Sequence, residues 1–546
     1  MATGTSSTEA TRARRRTGRA GRRTGRHASR PPTLTETFRP WIARITPADW
    51  VAIGACVLAL ALALQTLQGP ANDYDEGVYW QSLRAMANGH PLFSSIFSSQ
   101  PPLFLLSVYP FYIVFGQSLS AARLALVFFS VAGVAGIYVI GRTLCNRATG
   151  ALAAVLLALD PLYQHGAHTL QAELPSVALQ IWAVAVALLA MKATGRRRGW
   201  LAVIAGALLG CALLVKLFAV AAVVPILLYM GMPLLRCWLD EKGGLRWPSA
   251  EGMLAALRQI APTLGLVAAG LFGVIIIVFL PFVGQLGTVY DQVVRFHLAA
   301  ARADGRPLGD NLQIIADALM DSWLVYLPWV TIPVILWRRL WFAAPLILWA
   351  LADFVILAQQ QPLLDHHFVL LSPALALVSG CGIVAAWQAF RALTTSNRRK
   401  VGLGLIAAML LVVCVSGLLL NLDQNAAANG PVPTRTLQIA IALQGVSAPD
   451  EVVLSDDQYV AALANRDVPP QLVDTSAVRI TSGYLTASEL ETYITRSRIH
   501  TILFASGRFD LLPGFRDWVA ARYTQVETFA HGGALFLLEP KNNAPV

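Results

Sequence analysis

Three carboxylates fall within four residues, Asp73, Asp75 and Glu76 around Tyr74, directly after an apolar segment at about 50–67. Acids beside a hydrocarbon boundary carry a high solvation cost unless they are hydrated, paired or bound to a cation. The bland alternative is a hydrated loop that only marks a helix end. Further polar groups interrupt later apolar runs: Asp160, His165, His168, Gln171 and Glu173; then Lys216 alone; then Tyr290, Asp291, Arg295, His297, Arg302 and Arg306; then Asp365-His366-His367. Carboxylates so placed can serve as a general base toward a hydroxyl. Nearby cations can hold a phosphate and stabilise charge as it leaves. His165 and His168, three apart, could meet a metal from one helical turn, or simply sit at an interface. His366 and His367 are adjacent, so one of them at a time points to a given site. Lys216 either snorkels or contacts phosphate, and the 295–306 group is either a site or a solvated helix face.

The elements that must position these groups are membrane helices. The chain has 546 residues, 56% apolar and 13% charged, with a mean hydropathy of +0.56. That composition implies a polytopic membrane protein. The net charge is +11, and nine arginines stand between Arg12 and Arg30. No apolar region follows them directly, so residues 1–45 read as a disordered basic arm held on the cytoplasmic side, not a secretory signal. A nucleic-acid partner is not expected. The six cysteines form no CxxC pair, which argues against a disulfide framework or a thiolate zinc site.

About eleven spans are expected, at roughly 50–67, 122–140, 150–163, 174–191, 200–215, 217–235, 261–282, 323–337, 341–358, 367–387 and 401–420. With the N-terminus inside, every expected cytoplasmic loop is basic. Arg142/Arg147, Lys192 with Arg196–Arg198, Arg236 with Lys242 and Arg246, Arg338/Arg339, and Arg391 with Arg398–Lys400 all fall there. This follows the positive-inside bias. It also decides the apolar stretch 102–116, because a span there would put Lys192–Arg198 outside. Residues 78–121 therefore read as an outer loop with interfacial helices, Tyr79, Leu83 and Met86 lying at i, i+4, i+7. The membrane domain is expected over 46–425, with its first outer loop at 68–121.

An odd number of spans leaves the tail outside. Residues 431–546 read as an extracytoplasmic α/β domain, with strands at 452–454, 501–504 and 534–538 and helices at 488–497 and 515–523. Asp456-Asp457 could be a site there or begin a turn. On the same outer face of the membrane domain the acids, histidines and cations collect together. An apolar groove between spans would take a lipid tail, the cations its phosphate and the carboxylates an acceptor hydroxyl. Hydrolysis would need the same groups.

The run Tyr74-Asp75-Glu76-Gly77-Val78-Tyr79-Trp80, followed by Ala85, Gly89, Pro91 and Gln100-Pro101-Pro102-Leu103, resembles the first loop of GT-C membrane glycosyltransferases. These are the family 39 enzymes of protein O-mannosyltransferase and aminoarabinose-transferase type, and the resemblance covers about 45–390. It implies an α-helical GT-C membrane protein of about eleven helices acting as a hexosyl- or pentosyltransferase. Asp75 matches the first-loop catalytic acid and Glu76 its neighbour. Glu173, before Leu174-Pro175, resembles the second acidic position, and Lys216 resembles a frequent lysine. Asp365-His366-His367-Phe368 resembles a late outer motif. Many relatives carry Lys where this chain has Gln100, which donates a hydrogen bond but no charge. Donor phosphate would then rely on Lys216, Arg295, His297, His366 or His367, with Tyr79 and Gln100 beside it.

These residues lead to the expectation of sugar transfer from a polyprenyl-phosphate donor to a lipid, envelope glycan or protein acceptor, outside the plasma membrane. Asp75 is the expected base, assisted by Glu76 and Glu173. Should a divalent metal be used, Asp73, Asp75 and His168 are its candidate ligands. A transporter or flippase of a polar or lipid-linked substrate is the alternative. It would call for internal repeats and broken mid-membrane helices; no clear repeat is evident.

Overall fold

The computed structural model describes residues 45–238, 247–320 and 322–538. The basic arm, but for its last residue, and the loop cations Lys242 and Arg246 lie outside that range.

Eight helices among the described residues are long and apolar enough to cross a membrane. They are Pro47–Gln65, Leu119–Leu144, Glu173–Lys192, Gly195–Val215, Ala250–Asp304, Trp341–Gln359, Asp365–Arg391 and Ser396–Ala428. Each answers to one of the eleven expected spans, and the protein is multi-pass. The other three expectations take different forms. The stretch at 150–163 is the 12-residue helix Arg147–Ala158. At about 1.5 Å per residue it rises about 18 Å, short of a hydrocarbon core of about 30 Å. It is covered instead by the helices beginning at Pro47, Leu119 and Ser372. The 217–235 stretch is broken into Leu217–Ala222, Val223–Met230 and Met232–Cys237. The 323–337 stretch is one arm of a pair, Leu308–Met320 and Leu324–Trp337, bent by 92°.

Small residues let the helices approach closely. A Cβ on Gly206 would stand 1.8 Å from the Val267 carbonyl oxygen, and one on Gly270 2.0 Å from that of Val203. This holds Gly195–Val215 against Ala250–Phe279.

The first loop carries two helices, Tyr74–Ala87 and Leu103–Val114. The second is 12 residues long and apolar, too short for a span. The first has Tyr79 and Leu83 buried, as the spacing predicts. Its other face meets protein, not water. Gly77 packs on the Tyr459 backbone, Gln81 Nε2 donates to the Arg466 carbonyl at 2.9 Å, and Arg84 pairs with Asp467 at 2.7 Å.

Those partners belong to the C-terminal unit, which follows helix Thr434–Val446. Its sheet runs in the order β1-β2-β4-β3, with β1 Leu454–Ser455, β2 Thr501–Phe504, β3 Thr524–Phe529 and β4 Gly533–Leu537. β1 and β2 are parallel, in register at Leu454 and Ile502. β4 runs antiparallel to both of its neighbours. Phe504, Phe509, Phe515 and Phe536 form its core. β3 escapes a sequence reading because nearly all of Thr-Gln-Val-Glu-Thr-Phe is exposed, so no apolar alternation marks it. Asp456 and Asp457 build the fold. Asp456 accepts from the amides of Ala505 and Ser506 at 2.6 and 3.0 Å. Asp457 caps helix Gln458–Leu463 through the Val460 amide.

Candidate active site

The three acids of the first loop diverge. Asp73 caps its helix, accepting from the Glu76 amide at 3.0 Å. Glu76 turns inward, 0% exposed, and forms a bidentate pair with Arg123 at 2.8 and 2.6 Å. The amides of Asn72 and Leu170 donate to its two oxygens, both at 2.7 Å. Arg123 spends its remaining donors on the Thr66, Gly69 and Pro70 carbonyls. Glu76 does not line the cavity described next, and its oxygens are fully engaged in anchoring the helix. Asp75 alone of the three lines that cavity.

The cavity holds about 370 Å³, within the ordinary range of ligand sites. Asp75, Tyr79 and Gln100 of the first loop line it, with Lys216, His297, His366 and His367. Lys216 enters because helix Gly195–Val215 stops there in extended conformation before the turn Leu217–Ala222. Its ammonium lies 2.8 Å from Glu173 Oε1 and 5.3 Å from the Phe218 ring centroid. Glu173 is the hub of this corner. His366 Nε2 stands 3.8 Å and His367 Nε2 3.6 Å from the same oxygen. The two histidines ride on the turn Asp365–Leu371. That turn is fixed because the next residue, Ser372, donates to Asp160 at 2.5 Å, while Ser322 donates to the other oxygen at 2.6 Å. Asp160, grouped by sequence with the polar residues, is therefore a tie between segments.

Arg295 does not line the cavity. Its side chain is 65% exposed and pairs with Asp291 at 3.0 Å. His168 is buried against His165, ring centroids 5.4 Å apart. Burial pushes its pKa down to about 3, helped by His165 and Arg123, so it is neutral. Among the described residues, the side chains grouped closely enough to hold a metal are Glu173, His366 and His367, with ligand atoms within 4.8 Å of one another. That is a different set from Asp73, Asp75 and His168. Asp73 comes nearest to it, 3.8 Å from His366 Nδ1. Nitrogen and carboxylate donors suit a divalent ion in type. Lys216, however, already neutralises the Glu173 carboxylate, so an ion there would have to displace an ammonium.

Burial is the largest cause raising the pKa of both Asp73 and Asp75. At Asp73 the Asp75 and Glu76 charges add to it. At Asp75 the charge of His366 opposes it, Asp474 adds to it, and Gln171 and Lys216 oppose it again. Gln171 Nε2 bridges the pair, at 2.6 Å from Asp73 and 3.3 Å from Asp75.

Several lining groups carry no sequence signal. Gln359, Gln360 and Gln361 come from the end of helix Ala344–Gln359 and the residues after it. Asp474 and Ser476 come from the C-terminal unit. Most of the remaining wall is apolar, with Leu217, Phe218, Val293, Phe296, Leu298 and Ala301 among it.

Residues 99–265 match the family described as dolichyl-phosphate-mannose-protein mannosyltransferase. No curated protein matches the chain significantly. Among solved structures, ArnT from Cupriavidus metallidurans bound to undecaprenyl phosphate aligns with a TM-score of 0.61 at 15% identity. It covers 92% of this chain and 100% of that one. The archaeal oligosaccharyltransferase AglB from Archaeoglobus fulgidus, in complex with an inhibitory peptide and a dolichol-phosphate, aligns with a TM-score of 0.56 at 14% identity. It covers 85% of this chain and 69% of that one. At such identities the likeness is one of fold. The fold is thus one shared with the ArnT and AglB structures, and residues 99–265 carry the match to the mannosyltransferase family.

Proposed function

We propose that the protein transfers a hexose or pentose from a polyprenyl-phosphate donor to a hydroxyl of a lipid, envelope glycan or protein acceptor. The reaction would take place on the outer face of the plasma membrane, with the C-terminal unit outside. The observation that carries this reading is one cavity combining two carboxylates, an ammonium, three imidazoles and an apolar wall. The polyprenyl phosphates of the ArnT and AglB complexes support it.

The chemistry follows from the arrangement. The prenyl chain lies on the apolar wall. The phosphate sits by Lys216, with Gln100 and His297 as hydrogen-bond partners, so that Gln100 need not supply a charge. Asp75 takes the proton of the acceptor hydroxyl as its oxygen bonds the anomeric carbon. The bond from that carbon to phosphate oxygen breaks, and polyprenyl phosphate leaves on Lys216, which stabilises the charge it gains. A carboxylate whose pKa is raised is a stronger base once ionised. Glu173 holds Lys216 and the histidines in place. Glu76 acts only through the helix it anchors, and Arg295 has no part.

The test is consumption of radiolabelled polyprenyl-phosphate mannose, glucose, galactose and arabinose by the full chain in lipid, with a crude envelope fraction as acceptor. We expect turnover of one donor and a loss of about 10²–10⁴-fold in Asp75→Asn, the usual cost of removing a general base. Full activity in a folded Asp75→Asn protein would remove the assigned role.

A further inference from the structure

The loop from Asp474 to Ser476 belongs to the C-terminal unit, yet it faces the cavity beside Asp75. Asp474 is 7% exposed. Its Oδ1 accepts from the Ser476 amide at 2.8 Å, while Oδ2 has no hydrogen bond among the described residues. Arg479 Nη1 donates to the Asp474 and Gln471 backbone carbonyls at 2.6 and 3.0 Å.

Its placement is fixed from the first loop. Tyr74, the residue before Asp75, accepts from the Thr475 amide at 3.0 Å and bonds the Thr475 hydroxyl at 3.0 Å. The Arg508 guanidinium lies 3.7 Å from the Tyr74 ring centroid. On the other side, Arg479 stands 3.7 Å over the Phe97 ring, and the Phe97 amide donates to Pro470 at 3.4 Å. The contacts that orient Asp75 therefore also orient Asp474.

In the proposed function Lys216 and the histidines take the phosphate. A second carboxylate would repel that phosphate, so Asp474 suits a neutral polar group of the substrate. A carboxylate that lines the cavity and has one oxygen without a hydrogen bond within the protein can accept one from a ligand's hydroxyl.

Resting on the function proposed above, we propose that Asp474 is a substrate-binding residue whose free oxygen accepts a hydrogen bond from a sugar hydroxyl, and so selects the hydroxyl pattern that is taken. Sugar hydroxyls are offered both by the donor and by a glycan acceptor, and the two sources separate kinetically.

The experiment uses the full chain in lipid with the radiolabelled donor panel, varying donor and envelope fraction in turn. Wild type, Asp474→Asn and Asp75→Asn are compared, and an unfolding temperature checks each. We expect Asp474→Asn to lower kcat/KM by about tenfold to a hundredfold, as for loss of a hydrogen bond to a charged group. The change should fall mainly on KM and alter the ranking of donors. A raised KM for donor at saturating envelope fraction places the hydroxyl on the donor; a raised KM only for the envelope fraction places it on the acceptor. Wild-type KM values in a folded Asp474→Asn protein, or a fall in kcat alone, would overturn the proposal while Asp75→Asn still confirmed the chemistry. A wild-type protein that consumes no donor would instead overturn the proposed function itself. If Asp474→Asn does not fold, Asp474→Glu takes its place, and the same KM values decide.

Discussion

Asp75 can act as a base only while ionised, and its surroundings work against that form. Burial is the main cause. The charged form is favoured in part by Gln171, which donates to Asp75 at 3.3 Å and to Asp73 at 2.6 Å. A base with a raised pKa is active above it and loses activity as pH falls through it. The acid limb of donor consumption should therefore lie above the usual carboxylate range. Gln171→Met removes both hydrogen bonds, so it should move that limb to still higher pH and leave the plateau nearly unchanged. A pH profile of kcat/KM checks this; an unmoved limb would mean that Asp75 is not the titrating group. Asp75 was legible in the sequence because three acids at a membrane boundary are rare and a neighbouring motif repeats a known pattern. Glu76 shows the limit of that signal, since nothing in sequence says which of two adjacent acids will meet Arg123, 47 residues on.

The helix Tyr74–Ala87 is the element that aims Asp75, and the Glu76–Arg123 pair is its anchor. Both side chains are essentially unexposed. A buried pair of this kind contributes little over an apolar replacement, but breaking it leaves one charge without compensation. Arg123→Met should cost about 3–5 kcal/mol, read as a lowered unfolding temperature in detergent. The double variant Glu76→Gln with Arg123→Met should recover part of that loss, because the two sites share one interaction. Equal losses in the single and double variants would show that the pair does not hold the helix. At this scale the sequence was informative wherever hydropathy alone decides, as in the eight long helices. It was less so at Arg147–Ala158 and at Lys216, where the helix is shortened or broken. An apolar run buried among other helices reads like one facing lipid, and a window of hydropathy does not register a break that burial and a Phe218 contact make tolerable. The Gln359–Gln361 and Asp474–Ser476 segments were illegible for a further reason: they reach the cavity through contacts between distant parts of the chain, without motif or period.

Residues of the C-terminal unit and of the membrane helices line one cavity, so in the proposed function the seat between them should govern activity. Gly77 is a tight point of that seat: an added Cβ would stand 2.5 Å from the Tyr459 amide nitrogen and 3.0 Å from its Cα. Backbone cannot yield as a flexible side chain can. Gly77→Ala would gain about 1 kcal/mol of helix propensity, yet overpacking costs about 1–3 kcal/mol, and here it acts against a main chain. The strain should be relieved by separation of the two surfaces, because Arg84–Asp467 and Gln81–Arg466 on the same helix face are polar contacts that water can replace. Two measurements should then move together. Limited trypsin digestion should cut faster near Arg435, just after the connection at 429–433, and kcat/KM for the donor should fall about tenfold or more as the wall carrying Asp474 withdraws. Faster cleavage with unchanged activity would mean that the C-terminal unit only covers the cleft. Unchanged cleavage with lost activity would place the damage in the helix that carries Asp75. Wild-type behaviour in both would show that Gly77 does not set the seat.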